Sequence, residues 1–149
     1  MRRLGFISWL VPSVALAQTF AFTIGSPVAS QDSRVKTAAF VFRTEGCADS
    51  AKARIDGTAE GLVKGARSSV VLKITATSRP GVYAVYPTWP SVGDWVVNLK
   101  GTCNGASAGA VIPIGPAGFI RQSSSFFPRP ASEAEIAAAL QALSRGAHQ

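Results

Sequence analysis

The chain has one histidine and one methionine, and neither lies in its interior stretch: Met1 starts it and His148 is next to last. A terminal histidine cannot be held about 3 Å from a nucleophile, which argues against Ser-His-Asp and Cys-His catalysis. Two cysteines, Cys47 and Cys103, stand 56 residues apart, so no Cys-x-x-Cys redox or zinc pair exists. Charged residues make up only 15% of the chain, and its Lys and Arg occur without a basic block. That absence removes the signature of a nucleic-acid arm. The glycine-containing run 57–61 has no lysine and opens no helix, so it is no phosphate loop. There is no Asp-x-Asp-x-Asp calcium loop, no Asn-x-Ser/Thr site and no internal repeat. Asp56 and Glu60 fall four apart on one face of a strand, ~13 Å along it. A glycosidase pair needs ~5 to 9.5 Å. Asp49 and Asp94 can meet only through the fold. No catalytic residue, metal site or cofactor is therefore expected.

What remains is a folding composition, 47% hydrophobic over 149 residues, sized for one domain with flanking segments. Met1-Arg2-Arg3 followed by the apolar run to Leu16 and by Ala15-Leu16-Ala17 has the layout of a secretory signal peptide. Residues 1–17 are read as that signal, with cleavage before Gln18 and a second candidate cut after Ser30. Retention as an anchor is the alternative reading. Pro12, Gly25 and Pro27 interrupt the longer apolar stretch, and a spanning helix needs ~20 apolar residues. No stable membrane span is expected after cleavage. Loss of Arg2 and Arg3 takes the net charge from +7 to +5, read as solubility rather than an anionic partner.

Residues 18–33 are read as a flexible N-terminal segment and 34–122 as a β-sandwich. Strands are expected at 35–43, 53–62, 69–77, 82–86, 95–100, 110–114 and 117–121. In the first, Phe40 and Phe42 share a face. In the third, Val70, Leu72, Ile74 and Ala76 alternate with Lys73, Thr75 and Thr77. Around the connection 87–93, Val82, Ala84 and Tyr86 alternate with Tyr83 and Val85. Beyond it, Trp95, Val97 and Leu99 alternate with Val96, Asn98 and Lys100. Period-two patterns bounded by Pro and Gly are strand signals. Asn104-Gly105 is a turn dipeptide, because both residues tolerate positive φ. About seven strands at this spacing imply an all-β, immunoglobulin-like β-sandwich. The antibody signature is missing, because the tryptophans precede the second cysteine and position 101 is Gly.

Cys47 and Cys103 each follow a strand, so if those strands run in the same sense the two emerge at one end of the sandwich. A disulfide is expected there, closing a loop of 56 residues, worth ~4 kcal/mol in the chain-entropy model. The remaining segments are a linker at 123–131 and a helix at 132–146. Ser132 and Glu135 form a capping box. Ile136, Ala139, Leu140 and Leu143 make an apolar stripe, closed by Arg145 and Gly146. The stripe either caps the sandwich or docks on another chain. The linker's Phe126 and Phe127 are expected to dock on the sandwich, leaving the helix loosely held and free to meet a protein partner through Ile136, Leu140 and Leu143. Tyr83, Tyr86 and Trp89 complete the candidate interaction surface, with Trp95 assigned to the core.

The stretch 81–99, with Gly81-Val-Tyr83 and Gly93-Asp-Trp95, resembles a strand pair of small exported bacterial sandwiches of the YtkA-like and CopC-like kind. The resemblance covers about 19 of 149 residues. It implies an extracytoplasmic sandwich, and for the copper-handling members a His- or Met-based copper site. This chain departs there, since its only candidates are Met1 and His148. The function expected from the residues is a non-catalytic binding or structural module, periplasmic or secreted. A copper-handling protein and an enzyme of unrecognised type are the alternatives.

Overall fold

A computed structural model of the chain describes residues 19–146. The expected signal peptide at 1–17 lies outside them. The described chain forms strands β1 (Ala21–Gly25), β2 (Phe40–Glu45), β3 (Arg54–Val63), β4 (Ala66–Val71) and β5 (Lys73–Ala76). It continues through β6 (Val82–Tyr86), β7 (Asp94–Cys103), β8 (Ala106–Gly115), β9 (Gly118–Phe119) and β10 (Ser125–Phe127) to helix α1 (Glu133–Gly146). One sheet has the order β1-β2-β6-β5. The other runs β10-β8-β7-β3-β4, with β9 paired to the far end of β8. Every pairing is antiparallel. In chain order, β1 to β8 take the places A, B, C, C′, D, E, F and G of the immunoglobulin sandwich, A-B-E-D facing C′-C-F-G. The all-β, immunoglobulin-like sandwich with a C-terminal helix is thus the observed fold.

Ten strands replace the expected seven, for three physical reasons. First, the segment expected to be a flexible lead-in contains strand β1. β1 pairs along β2, and Phe20, Phe22 and Ile24 are buried in the core. Second, the alternating run at 69–77 is two strands. β4 pairs with β3, the chain crosses between sheets at Leu72, and β5 pairs with β6. Third, the linker contains β10, which extends the second sheet along β8. The stretch around Trp89 is also corrected. β6 and β7 do not pair with each other but lie in opposite sheets, joined by a crossover at 87–93. At 35–37 a single 3-10 turn replaces the start of the expected strand, and Val35 and Ala38 cover Ala84 on the outer face of the first sheet.

The tight turns follow from local chemistry. Asn104 (φ 50°) and Gly105 (φ 80°) close the β7–β8 hairpin, and Lys64 (φ 51°) and Gly65 (φ 77°) close β3–β4. Two positive φ values in succession match the right-handed twist of the paired strands.

Between the sheets, Phe40, Phe42, Val85, Trp95, Val97, Leu99 and Ile112 form the core. Phe22 meets Phe42 edge-on at 5.5 Å, and Tyr83 stacks on Phe42 at 5.2 Å. A second apolar layer lies outside the β7–β8 sheet, where Val96 and Val111 are covered by Ile136 and Leu140 of α1. The cap is built as expected: Glu135 N donates to Ser132 Oγ (3.2 Å) and Ser132 N to Glu135 Oε1 (2.9 Å). Ion pairs from Arg129 to Glu135 (2.7 Å) and from Arg67 to Glu133 (2.8 Å) fasten the helix start to its neighbours. The helix is therefore not loosely held. Its apolar stripe is used within the fold because the outer faces of Val96 and Val111 would otherwise be bare.

The disulfide forms as expected. Cys47, just past β2, bridges Cys103, the last residue of β7, with Cα atoms 5.9 Å apart. Both cysteines follow the same ends of strands in opposite sheets, so β2 and β7 run in one sense and the bridge ties the sheets together. These are the two strands that antibody domains also join, but the bridge is at their ends rather than at mid-core.

Candidate functional site

At the end of the sandwich opposite the disulfide, three segments distant in sequence leave a cleft of about 890 Å³. The first is the crossover at 87–93, where Pro87 and Pro90 prevent regular pairing. Gly93 ends it at φ 91°, and a β-carbon there would press on Leu62 O at 2.6 Å. Only glycine fits that approach. The second is the end of β8 with its Gly115-Pro116 turn and Ile120. The third is the last two turns of α1, which bring Ala139, Ala142 and Leu143 to the opposite wall.

Trp89 and Trp95 form the aromatic side of the cleft. Trp95 is buried, and its indole Nε1 donates to Val92 O at 2.8 Å, which braces the crossover. Trp89 is half-buried and packs on the edge of the core. Pro113, Ile114, Pro116, Ile120 and Leu143 supply apolar walls, with Ser91 and Ser123 the small polar groups. Asp94, half-buried at the start of β7, is the one charged residue in the lining among the described residues. Such a volume, with apolar walls and few polar groups, is what small-molecule sites have.

The expected interaction residues are distributed unevenly. Trp89 and Leu143 line this cleft together. Ile136 and Leu140 do not form a free docking face, because they are buried against Val96 and Val111. Tyr83 is stacked on Phe42 at the margin of the core. Tyr86 lies on the outer face of the first sheet, where its hydroxyl donates to Arg34 O (3.0 Å) and Lys73 Nζ sits 5.3 Å from its ring centre. It borders a second, smaller hollow of about 270 Å³ with Asp32, Arg34, Thr75 and Thr77. The Arg34 side chain holds the Asp32 carboxyl below its ordinary value, with further help from the Arg34 backbone N–H. Of the linker phenylalanines, Phe127 packs on the outer apolar layer, while Phe126 remains 46% exposed.

The acids weighed for chemistry do not converge. Glu60 accepts hydrogen bonds from Thr58 Oγ1 (2.7 Å) and Ser69 Oγ (2.9 Å) and pairs with Arg67 (3.3 Å), a knot on the sheet surface. Asp49 sits two residues past the bridged Cys47, whereas Asp94 starts the ten-residue β7 at its other end, ~30 Å away. Among the described residues, no three His, Cys, Asp or Glu side chains gather as a metal ion requires, and both cysteines are in the bridge. Met1 and His148 lie outside the described residues. No described helix is long and apolar enough to cross a membrane. Pro113, Pro116 and Ile120 belong to the cleft although no motif marked them. Their signal was compositional, an Ile-Pro-Ile-Gly-Pro run at the end of a strand.

Comparison of the chain with protein-family models, with curated proteins and with solved structures returned no match.

Proposed function

We propose that this protein is an extracytoplasmic, non-catalytic binding module that takes an apolar ligand in the cleft between the β6–β7 crossover and the end of α1. The observation that carries the reading is the cleft itself: two tryptophans, three prolines and the Leu143 wall, held by a braced crossover. The disulfide supports the location, since such bridges persist in oxidising compartments, and it ties the sheets at the end away from the cleft. A rigid scaffold that presents an apolar concavity is suited to binding rather than to chemistry that needs paired titratable groups.

The test is a titration of the exported, oxidised protein with a neutral aromatic probe, 2-phenylethanol, followed by NMR of the indole N–H signals. Saturable shifts in the tryptophan resonances, weakened in Leu143→Asp, are expected. No shift at any concentration, or shifts indifferent to Leu143→Asp, would overturn the reading.

A further inference from the structure

We infer that the cleft selects an amphipathic organic cation, a protonated or quaternary amine carried on an apolar body. This rests on the binding reading above and names its ligand class. The chain is basic, with 15 Lys and Arg against 8 Asp and Glu. The cleft reverses that sign, since Asp94 is the sole charged lining residue among the described residues. Among the described residues, Asp32, Glu45, Glu60, Glu133 and Glu135 are in ion pairs, and Asp49, Asp56 and Asp94 are in none, Asp94 alone of these three lining the cleft. Asp94 is half-buried and lines the cleft together with the half-buried Trp89. Trp95 is buried, with its N–H committed to Val92 O, so it braces the wall, and the half-buried Trp89 is the ring that a ligand would meet.

These groups discriminate between ligand classes. A cation beside an indole face is attracted by the ring quadrupole, and the attraction grows as water is excluded. The same cation pairs with Asp94 in surroundings less polar than water. An anion would meet Asp94 with repulsion. A neutral apolar guest would strip water from that carboxylate and give nothing back. A hydrated metal ion would find a single carboxylate where hard cations take six or more oxygens. An amine on a hydrocarbon or aromatic body satisfies both halves of the cleft together.

The experiment compares three soluble probes of one shape on the exported, oxidised full chain: 2-phenylethylamine (protonated at neutral pH), 2-phenylethanol and 3-phenylpropionate. Binding is followed through indole N–H and neighbouring amide shifts. The ammonium probe is expected to bind roughly fivefold to thirtyfold tighter than the alcohol, and the carboxylate probe weakest. The preference should shrink as salt rises from about 0.02 M to about 0.2 M. Asp94→Asn should remove the charge preference while the alcohol still binds, and Trp89→Leu should weaken both probes. A melting temperature unchanged in Asp94→Asn shows that the lost preference is not unfolding. If ammonium and alcohol bind equally, or Asp94→Asn keeps the preference, the cation inference is overturned and the apolar-site reading stands. If no probe binds, both are overturned.

Discussion

The Trp95 indole lies over Gly61 on the neighbouring strand. The two residues are register partners, and a β-carbon at position 61 would come within 2.6 Å of the ring's Cε3. The glycine that weakens β3 by composition is the slot that lets the ring lie flat and reach Val92. Gly61→Ala is therefore expected to force the indole out of place, at a cost of ~1–3 kcal/mol. Urea unfolding measures the loss, and the Trp95 N–H resonance should move with it. An unchanged midpoint would mean that the ring has room to spare.

The Cys47–Cys103 bridge ties the chain just past β2 in one sheet to the end of β7 in the other. Cys103→Ala should lower stability by ~2–5 kcal/mol in urea unfolding under oxidising conditions. Reduction of the native protein should raise its mass by about 2 Da. Two free thiols in the native protein would contradict the pairing.

Leu140 is 1% exposed and sits on Val96 and Val111. Leu140→Ala is expected to cost ~2–5 kcal/mol. Ending the chain after Pro130 should cost more than ~2 kcal/mol, because it bares both valines at once. Denaturant midpoints of the two variants decide the matter. A truncated chain as stable as the whole would restore the picture of a helix held in reserve for a partner.

The legible parts of this fold were those set by local chemistry. Asn104-Gly105 predicts its hairpin, Ser132 and Glu135 their capping box, Phe40 and Phe42 their shared inner face, and the two cysteines their bridge. What local pattern does not carry is which strand lies beside which. Period-two alternation at 69–77 assigns faces, yet it is silent on the change of sheet at Leu72. The connection at 87–93 is long enough either to turn or to cross, so β6 and β7 read as partners although they face each other across the core. β1 is hidden in the sequence because its apolar residues continue a run that begins at Leu4. Alternation puts Val96 on the face opposite Trp95, Val97 and Leu99, and only the helix above it makes that face buried. The consecutive apolar run Trp95-Val96-Val97 was the available hint that both faces are covered. The cleft was least legible, since only the fold brings Trp89, Pro113 and Leu143 together.

The start of α1 carries a pH-dependent fastening. Arg129, then the Ser132 backbone N–H, pulls the Glu135 carboxyl from its ordinary 4.5 to about 2. A carboxyl lowered in the folded state adds stability above its unfolded value and loses it as pH falls through the folded one. The first turn of α1 should therefore stay closed at pH 5 and loosen between about 4.5 and about 2. Amide exchange at residues 132–136 measures this. Glu135→Gln should flatten the dependence, and Arg129→Gln should move its midpoint back toward ordinary carboxyl values.

β1 discriminates between the two cleavage sites expected from the sequence. Two cuts suit the sequence, one before Gln18 and one after Ser30, and they differ in what they leave behind. The later cut removes Phe20, Phe22 and Ile24, all at or below 5% exposure, and uncovers the edge of β2 along the five pairs from Ala21↔Glu45 to Gly25↔Val41. Each such side chain is worth ~1.5–3 kcal/mol when buried. Three together therefore approach the ~5–15 kcal/mol that holds a whole domain. A bare edge strand is in addition a template for aggregation. The chain beginning at Gln18 is expected to melt cooperatively and remain monodisperse, and the chain beginning at Gln31 to be unfolded or aggregated at the same temperature. N-terminal mass analysis of the exported form should accordingly find Gln18. An exported form that begins at Gln31 and melts cooperatively would show that β1 is dispensable and that the core closes without its three apolar side chains.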